Sequence, residues 1–107
     1  MDIENMDSAV DYKELDAETQ KKSVKLVVMH MKKKIPADTA GVDRVLDWID
    51  DMDVLLEKEG FDKPEYIQMR KKLNDAIGWV VDTDLRHRLR NSWSSFGKAL
   101  EKKAPRN

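Results

Sequence analysis

Histidine and cysteine, two residue types that often act in catalysis, are scarce in this chain of 107 residues. His30 and His87 are the only candidate imidazole bases or ligands, and the absence of cysteine excludes disulfides, thiolate zinc sites and cysteine nucleophiles. His30 lies beside the apolar face of a predicted helix, and His87 lies between two arginines on a face that we predict to be solvated. The sequence contains no glycine-rich phosphate loop, His-Glu-x-x-His motif or Gly-x-Ser-x-Gly motif. The histidines therefore do not indicate a catalytic site.

Acidic residues gather in the middle of the chain, where carboxylates could bind a metal ion or exchange protons. A calcium loop needs alternating oxygen ligands and a glycine at its sixth position, whereas here apolar residues interrupt a helical repeat. Exposed carboxylates on a helix also lack the pocket that acid–base catalysis requires. We therefore predict no metal site, no cofactor and no enzymatic activity. The residues concerned are Asp47, Asp50, Asp51, Asp53 and Glu57.

Basic and aromatic residues in the last third of the chain are typical of a binding surface. Arg86 and Arg90 are one helical turn apart, and Trp93 follows close by. Tryptophan and arginine supply much of the affinity of protein interfaces. We therefore predict that another protein binds here through an acidic, hydrophobic or disordered segment. The predicted partner-binding residues are Arg70, Lys71, Lys72, Trp79, Arg86, Arg90 and Trp93.

Two other functions remain open at the same residues. The third and fourth helices could form a helix-turn-helix whose basic edge contacts the phosphates of a nucleic acid. Asp82 and Asp84 would repel that backbone from the start of the recognition helix, and the isoelectric point of about 6.1 is not that of a basic domain. The second alternative is a structural homo-oligomer, for example a homodimer, in which pairing of the chains buries exposed tryptophan and methionine side chains.

Apolar residues recur at helical spacing in four segments of the chain. Trp93 falls on the apolar stripe of the fourth segment and is expected in the core. Trp48 and Trp79 fall just off their stripes, so each lies either at the rim of a binding surface or in a gap of a small core. The expected helices run from Asp16 to Lys34, from Asp38 or Thr39 to Glu59, from Asp62 to Val80, and from Asp82 or Thr83 to Leu100.

Short connections between helices of similar length favour antiparallel neighbours. We therefore predict an all-α fold, a compact up-down bundle of three to four helices with an acidic flexible N-terminal arm. The expected organisation is an arm at residues 1–15, a helical bundle domain at 16–103 and a C-terminal tail at 104–107. The arm either folds back on the basic edge and competes with a partner, or has no role.

The formal charge of −1 conceals an alternation along the chain. Residues 1–20 carry a charge of −6, residues 21–37 carry +6, residues 38–69 carry −7 and residues 70–107 carry +6. Partners respond to local fields that salt screens over about 8 Å, so the net charge predicts little about binding. The blocks predict either attraction between adjacent helices or a charged docking surface.

The apolar runs are too short for a membrane helix, which needs about 18 consecutive apolar residues. The first twenty residues are acidic, whereas a signal peptide is basic and then apolar. We therefore predict an intracellular protein without a membrane contact, cytoplasmic or nuclear.

Three stretches resemble the small helical modules of transcription-elongation factors, the TFIIS N-terminal-domain type that includes the integrase-binding domains of chromatin-tethering proteins. They are Val42–Ile49, Arg70–Leu73, and Leu89 followed four residues later by Trp93. The resemblance covers about residues 23–100, although Ile77-Gly78-Trp79 comes later than the Ile-Gly-Lys step of that family. It implies a non-catalytic scaffold whose grooves accept disordered, acidic and hydrophobic segments of nuclear partners. With the charge pattern, it predicts a regulatory adaptor in transcription.

Overall fold

Four α-helices make up most of residues 11–36 and 38–105, which are the residues that a computed structural model describes. The described residues contain no strand, so the predicted all-α fold is confirmed. The helices are α1 (Tyr12–Lys34), α2 (Asp43–Glu57), α3 (Lys63–Ile77) and α4 (Thr83–Ala99).

The four helices form a ring in which each packs against its neighbours in the chain, and α4 closes the ring against α1. Contacts at both ends of α1 show that α1 and α4 are antiparallel. Asp16 accepts a hydrogen bond from the backbone N–H of Ala104 (2.8 Å), and Lys34 donates one to the hydroxyl of Ser92 (2.9 Å). The bundle is therefore up-down with four members, and α1 lies beside α4.

Trp48 is buried and connects α2 with α3 and α4. Its side chain is only 3% exposed, and its indole N–H donates to the backbone carbonyl of Met69 on α3 (2.7 Å). Its ring also lies 5.8 Å from the ring of Phe96 on α4, centroid to centroid. Trp48 is thus a core residue, and its polar N–H is satisfied inside the protein.

In three of the four helices, the residue types at the first positions explain where the helix begins. Asp11 caps α1 by accepting from the backbone N–H groups of Lys13 (3.0 Å) and Glu14 (3.3 Å). Asp82 caps α4 in the same way, and Pro64 lies in the first turn of α3, where its missing N–H costs no hydrogen bond. α1 begins at Tyr12, four residues before the predicted Asp16, so only residues 1–10 of the expected arm lie outside the described residues.

The start of α2 differs from the prediction. α2 begins at Asp43 after Val42, a residue whose side chain cannot cap and is buried instead. Asp38 adopts a left-handed backbone (φ 63°), and the hydroxyl of Thr39 donates to the carbonyl of Pro36 (2.8 Å), so neither caps the helix. Leu46, which the helical repeat assigns to the core, is 42% exposed. α2 therefore begins at a buried apolar residue and without a side-chain cap.

Two loops meet at one end of the bundle. The backbone N–H of Val81, between α3 and α4, donates to the carbonyl of Ala40, between α1 and α2 (3.4 Å). Gly41 adopts φ +80°, and a Cβ atom there would overlap the backbone carbonyl of Trp79. Glycine at position 41 therefore allows both a left-handed backbone and the close approach of the two loops.

Tyr66 is buried with an unsatisfied hydroxyl. It is 1% exposed and packs against Phe61, and its hydroxyl has no hydrogen-bond partner among the described residues. Burial, with a smaller contribution from the negative charge of Glu65, raises the pKa of Tyr66 above its ordinary value of 10.0. The phenol therefore stays protonated in the folded protein at a pH where the unfolded chain ionises.

We expect Tyr66→Phe to leave the free energy of unfolding at pH 7 unchanged or to raise it by up to about 1 kcal/mol, since no hydrogen bond is lost. Because the pKa of Tyr66 is raised by burial, the unaltered protein keeps its full stability below pH 10.0 and loses stability as the pH rises further, whereas the variant has no phenol to ionise and does not show this loss. Urea titrations at pH 7 and above pH 10 measure both effects. A loss above 1 kcal/mol at pH 7 would show that the hydroxyl has a partner.

Candidate binding site

Arg70 and Trp93, both predicted to contact a partner, hold α3 and α4 together. The Arg70 guanidinium lies over the Trp93 ring, 3.6 Å from its centroid, and Nε donates to the Trp93 carbonyl (3.1 Å). The Trp93 indole N–H donates in return to the Arg70 carbonyl (3.1 Å). Gly97 lies against the guanidinium and leaves no room there for a Cβ atom. The two residues are half-buried, and their polar groups are largely engaged within the chain.

Arg86 and Arg90 lie along the same α3–α4 contact. Arg86 donates to the carbonyl of Val80 (3.2 Å), in the loop between α3 and α4. Arg90 donates to the side-chain oxygen of Asn74 (3.4 Å). The hydrogen bond to Val80 connects α4 to the loop that follows α3, so Arg86 has a structural role. Arg90 is exposed and retains free donors.

Lys72 and Trp79 lie on the other side of α3, in a cleft of about 210 Å³ between α2 and α3. Trp79 is 58% exposed, and the guanidinium of Arg44 lies 4.2 Å from its ring centroid. Asp51 and Asp75 also line this cleft, so its charges balance. Lys71 is exposed on α3. The structure therefore divides the predicted site: Arg70, Arg86, Arg90 and Trp93 lie at the α3–α4 contact, and Lys72 and Trp79 lie in the α2–α3 cleft.

A different groove runs between α1 and α4. It has a volume of about 280 Å³, and its floor is formed by Val27 and the buried Ala99. Leu26, on its rim, is 54% exposed, and Met29 lies exposed one turn away. This α1–α4 groove is lined by Ser23, Leu26, Val27 and His30 of α1 and by Ser95, Lys98, Ala99 and Lys102 of α4 and the turn that follows.

The helix segments along the α1–α4 groove carry no acidic residue. Residues 19–37 contain six lysines, and residues 85–100 contain three arginines and one lysine. Several of these bases are exposed and make no ion pair with another described residue: Lys22, Lys25, Lys33, Arg88 and Lys98. Lys102 adds a further free ammonium group at the end of the groove. The groove therefore combines an apolar floor with the unpaired ammonium groups of Lys98 and Lys102, and the other exposed bases lie elsewhere on the same two helices.

The outer face of α2 has the opposite charge. Asp43, Asp47, Asp50, Asp51 and Glu57 are exposed there. Attraction between helices uses little of this charge, because Lys32–Asp53 (2.8 Å) is the one ion pair between α1 and α2 in the described part of the chain. Exposed pairs of this kind contribute about 0–1 kcal/mol to stability. Most of the negative charge on the outer face of α2 is thus available to partners.

The described residues contain no group of three or more acidic or histidine side chains that could hold a metal ion. Among the same residues, no helix combines the length and the apolar character needed to cross a membrane. No protein-family model, curated protein or solved structure matches the chain.

The sequence-based prediction omitted the α1–α4 groove. The lysine-rich block at residues 21–37 and the basic block after residue 70 are both visible in the sequence. Their juxtaposition depends on the closure of the ring between the first and last helices, whereas the predicted site was taken from residues close together in the chain.

Proposed function

We propose that this chain is a non-catalytic adaptor module of the cell interior that binds an acidic and hydrophobic segment of a partner protein in the α1–α4 groove. One observation carries the proposal: two antiparallel, acid-free helix segments form a groove whose floor is apolar. Free ammonium groups steer an acidic segment to the groove, and burial of its apolar side chains on Leu26 and Val27 provides affinity.

The apolar floor favours a peptide over a nucleic acid. A nucleic acid, whether duplex or single strand, contacts basic side chains and polar donors of a protein through its phosphates. Bound in this groove, it would leave Leu26 and Met29 uncovered. A symmetric homodimer through the same surface would place like charges against each other, because a two-fold contact pairs each patch with itself. An acidic and hydrophobic segment matches both the charge and the exposed apolar groups.

The resemblance to TFIIS N-terminal-domain modules supports the same function. That family implies a scaffold without catalysis that receives disordered, acidic and hydrophobic segments, and it suggests nuclear partners and a regulatory role in transcription. The α2–α3 cleft is the weaker candidate for an acidic segment, because Asp51 and Asp75 offset Arg44 and Lys72. Arg70 and Trp93 are assigned to the packing of α3 on α4.

Charge reversal in the groove tests the proposal. The probe is a fluorescein-labelled peptide of about 15 residues with Leu and Phe at i, i+3, i+4 and i+7 and with Asp and Glu elsewhere. We expect Lys98→Glu with Lys102→Glu to weaken its binding at least about tenfold, since two attractive contacts become repulsive. Fluorescence anisotropy at about 0.15 M salt measures the affinity.

The matched control is Lys71→Glu with Lys72→Glu, which makes the same change in charge on the α3 surface that the sequence favoured. We expect this control to alter affinity less than about threefold, through the net field alone. A larger loss in the control than in the groove variant would move the site to the α2–α3 cleft. Failure of the unaltered protein to bind the peptide, together with salt-sensitive binding to a DNA duplex, would replace the proposal with nucleic-acid binding.

A further inference from the structure

The first ten residues of the chain have the character of the segment that the α1–α4 groove is proposed to bind. They contain Asp2, Glu4 and Asp7 and no basic residue. Ile3 and Met6 alternate with these acids and provide apolar side chains at short intervals. The chain therefore carries its own acidic and hydrophobic segment, joined directly to one wall of the groove.

The length of this segment allows it to reach the groove. It joins α1 at the cap residue Asp11, and Ser23 at the start of the groove lies twelve residues along the helix. Twelve helical residues span about 18 Å. Ten extended residues span up to about 33 Å. Ile3, eight residues before Asp11, has a reach of up to about 26 Å and can therefore lie beside Ser23 or Leu26 if the chain turns back along α1, whereas the reach of Met6 ends just before Ser23.

The charged residues near the start of α1 favour binding of this segment in the α1–α4 groove over binding in a nearer cleft. The cleft between the first half of α1 and the α2–α3 loop is lined by Glu14, Glu18 and Lys21, so its net charge is negative and repels an acidic segment. On the opposite side of α1, Gln20 donates to the carbonyl of Lys102 (2.8 Å), so the turn after α4 lies beside the first half of α1. Lys102 and Lys103 are exposed there and lie between Asp11 and the centre of the groove.

We propose that residues 1–10 bind the α1–α4 groove of the same chain and compete with the partner segment, an inference that rests on the proposed function. A short tether gives the segment an effective concentration in the millimolar range, so that even a weak contact is substantially occupied. The apparent affinity for a partner is then reduced by the fraction of open grooves. The module is thus regulated by its own first ten residues.

The test neutralises the segment in the full chain through Asp2→Asn, Glu4→Gln and Asp7→Asn. We expect the labelled peptide to bind this variant about three to ten times more tightly than the unaltered protein. The control is Asp43→Asn, Asp47→Asn and Asp50→Asn on the outer face of α2, which makes the same change in net charge away from the groove. We expect at most a twofold gain in the control, from the altered net field.

Amide resonances of Leu26, His30 and Ser95, recorded without peptide, provide a second measurement. We expect them to shift in the neutralised variant and to stay in place in the α2 control. Peptide binding with equal affinity in all three proteins would overturn the inference and leave the proposed function standing. Shifted groove resonances without peptide binding by any of the proteins would overturn the proposed function and support the contact within the chain.

Discussion

Trp48→Ala is expected to lower the free energy of unfolding by about 3–5 kcal/mol, a large part of the stability of a domain of this size. The indole is buried between three helices, so its removal leaves a cavity beside Phe96. It also removes the hydrogen bond that the indole N–H donates to the backbone carbonyl of Met69. Urea titration followed by circular dichroism measures the loss without relying on tryptophan fluorescence.

The same substitution at Trp79 is the matched control. Its ring is more than half exposed, and the contact with Arg44 is a cation–π interaction at the surface, worth about 0.5–1 kcal/mol. We therefore expect Trp79→Ala to cost no more than about 1 kcal/mol. Equal losses at the two positions would show that Trp48 does not hold the core together.

Gly41→Ala is expected to lower the free energy of unfolding by about 2–5 kcal/mol. An alanine in the left-handed region costs about 1–2 kcal/mol by itself. The added Cβ would also overlap the carbonyl of Trp79, so the loop between α3 and α4 must move away from the loop before α2. Backbone displacement in a packed region adds a further cost of about 1–3 kcal/mol.

Gly60→Ala separates the two causes of that loss. Gly60 has nearly the same backbone angle (φ +79°), but an added Cβ there meets nothing within 4 Å. We expect this variant to show the backbone cost alone, about 1–2 kcal/mol. If both alanine variants lose the same stability in urea titrations, the approach of the two loops at Gly41 contributes nothing.

The sequence predicted the helices well because periodicity and capping are local properties. Asp11 was missed as a cap because the aperiodic residues before Asp16 hide the start of α1. Asp38 and Thr39 satisfy the statistical preference for a cap, but burial of Val42 determines where α2 begins. Local preference was overridden here by packing against other helices.

The sequence predicts the residue types of the binding site but not its location in the fold. Arg70 and Trp93 have the residue types of an interface, yet each engages the other across α3 and α4. Lys98 and Lys102 are separated from Ser23 and Leu26 by most of the chain. Their proximity depends on the closure of α4 onto α1, which no spacing along the sequence shows.

The ring arrangement also gives the molecule an electric dipole. α2, with its acidic outer face, and α4, with its excess of arginine and lysine, lie at opposite corners of the bundle. A protein with a net charge of −1 gains almost no long-range attraction from that charge, but a dipole experiences a torque in the field of a charged partner. An anionic partner therefore turns the α1–α4 side towards itself before contact, and added salt should act mainly on the association rate.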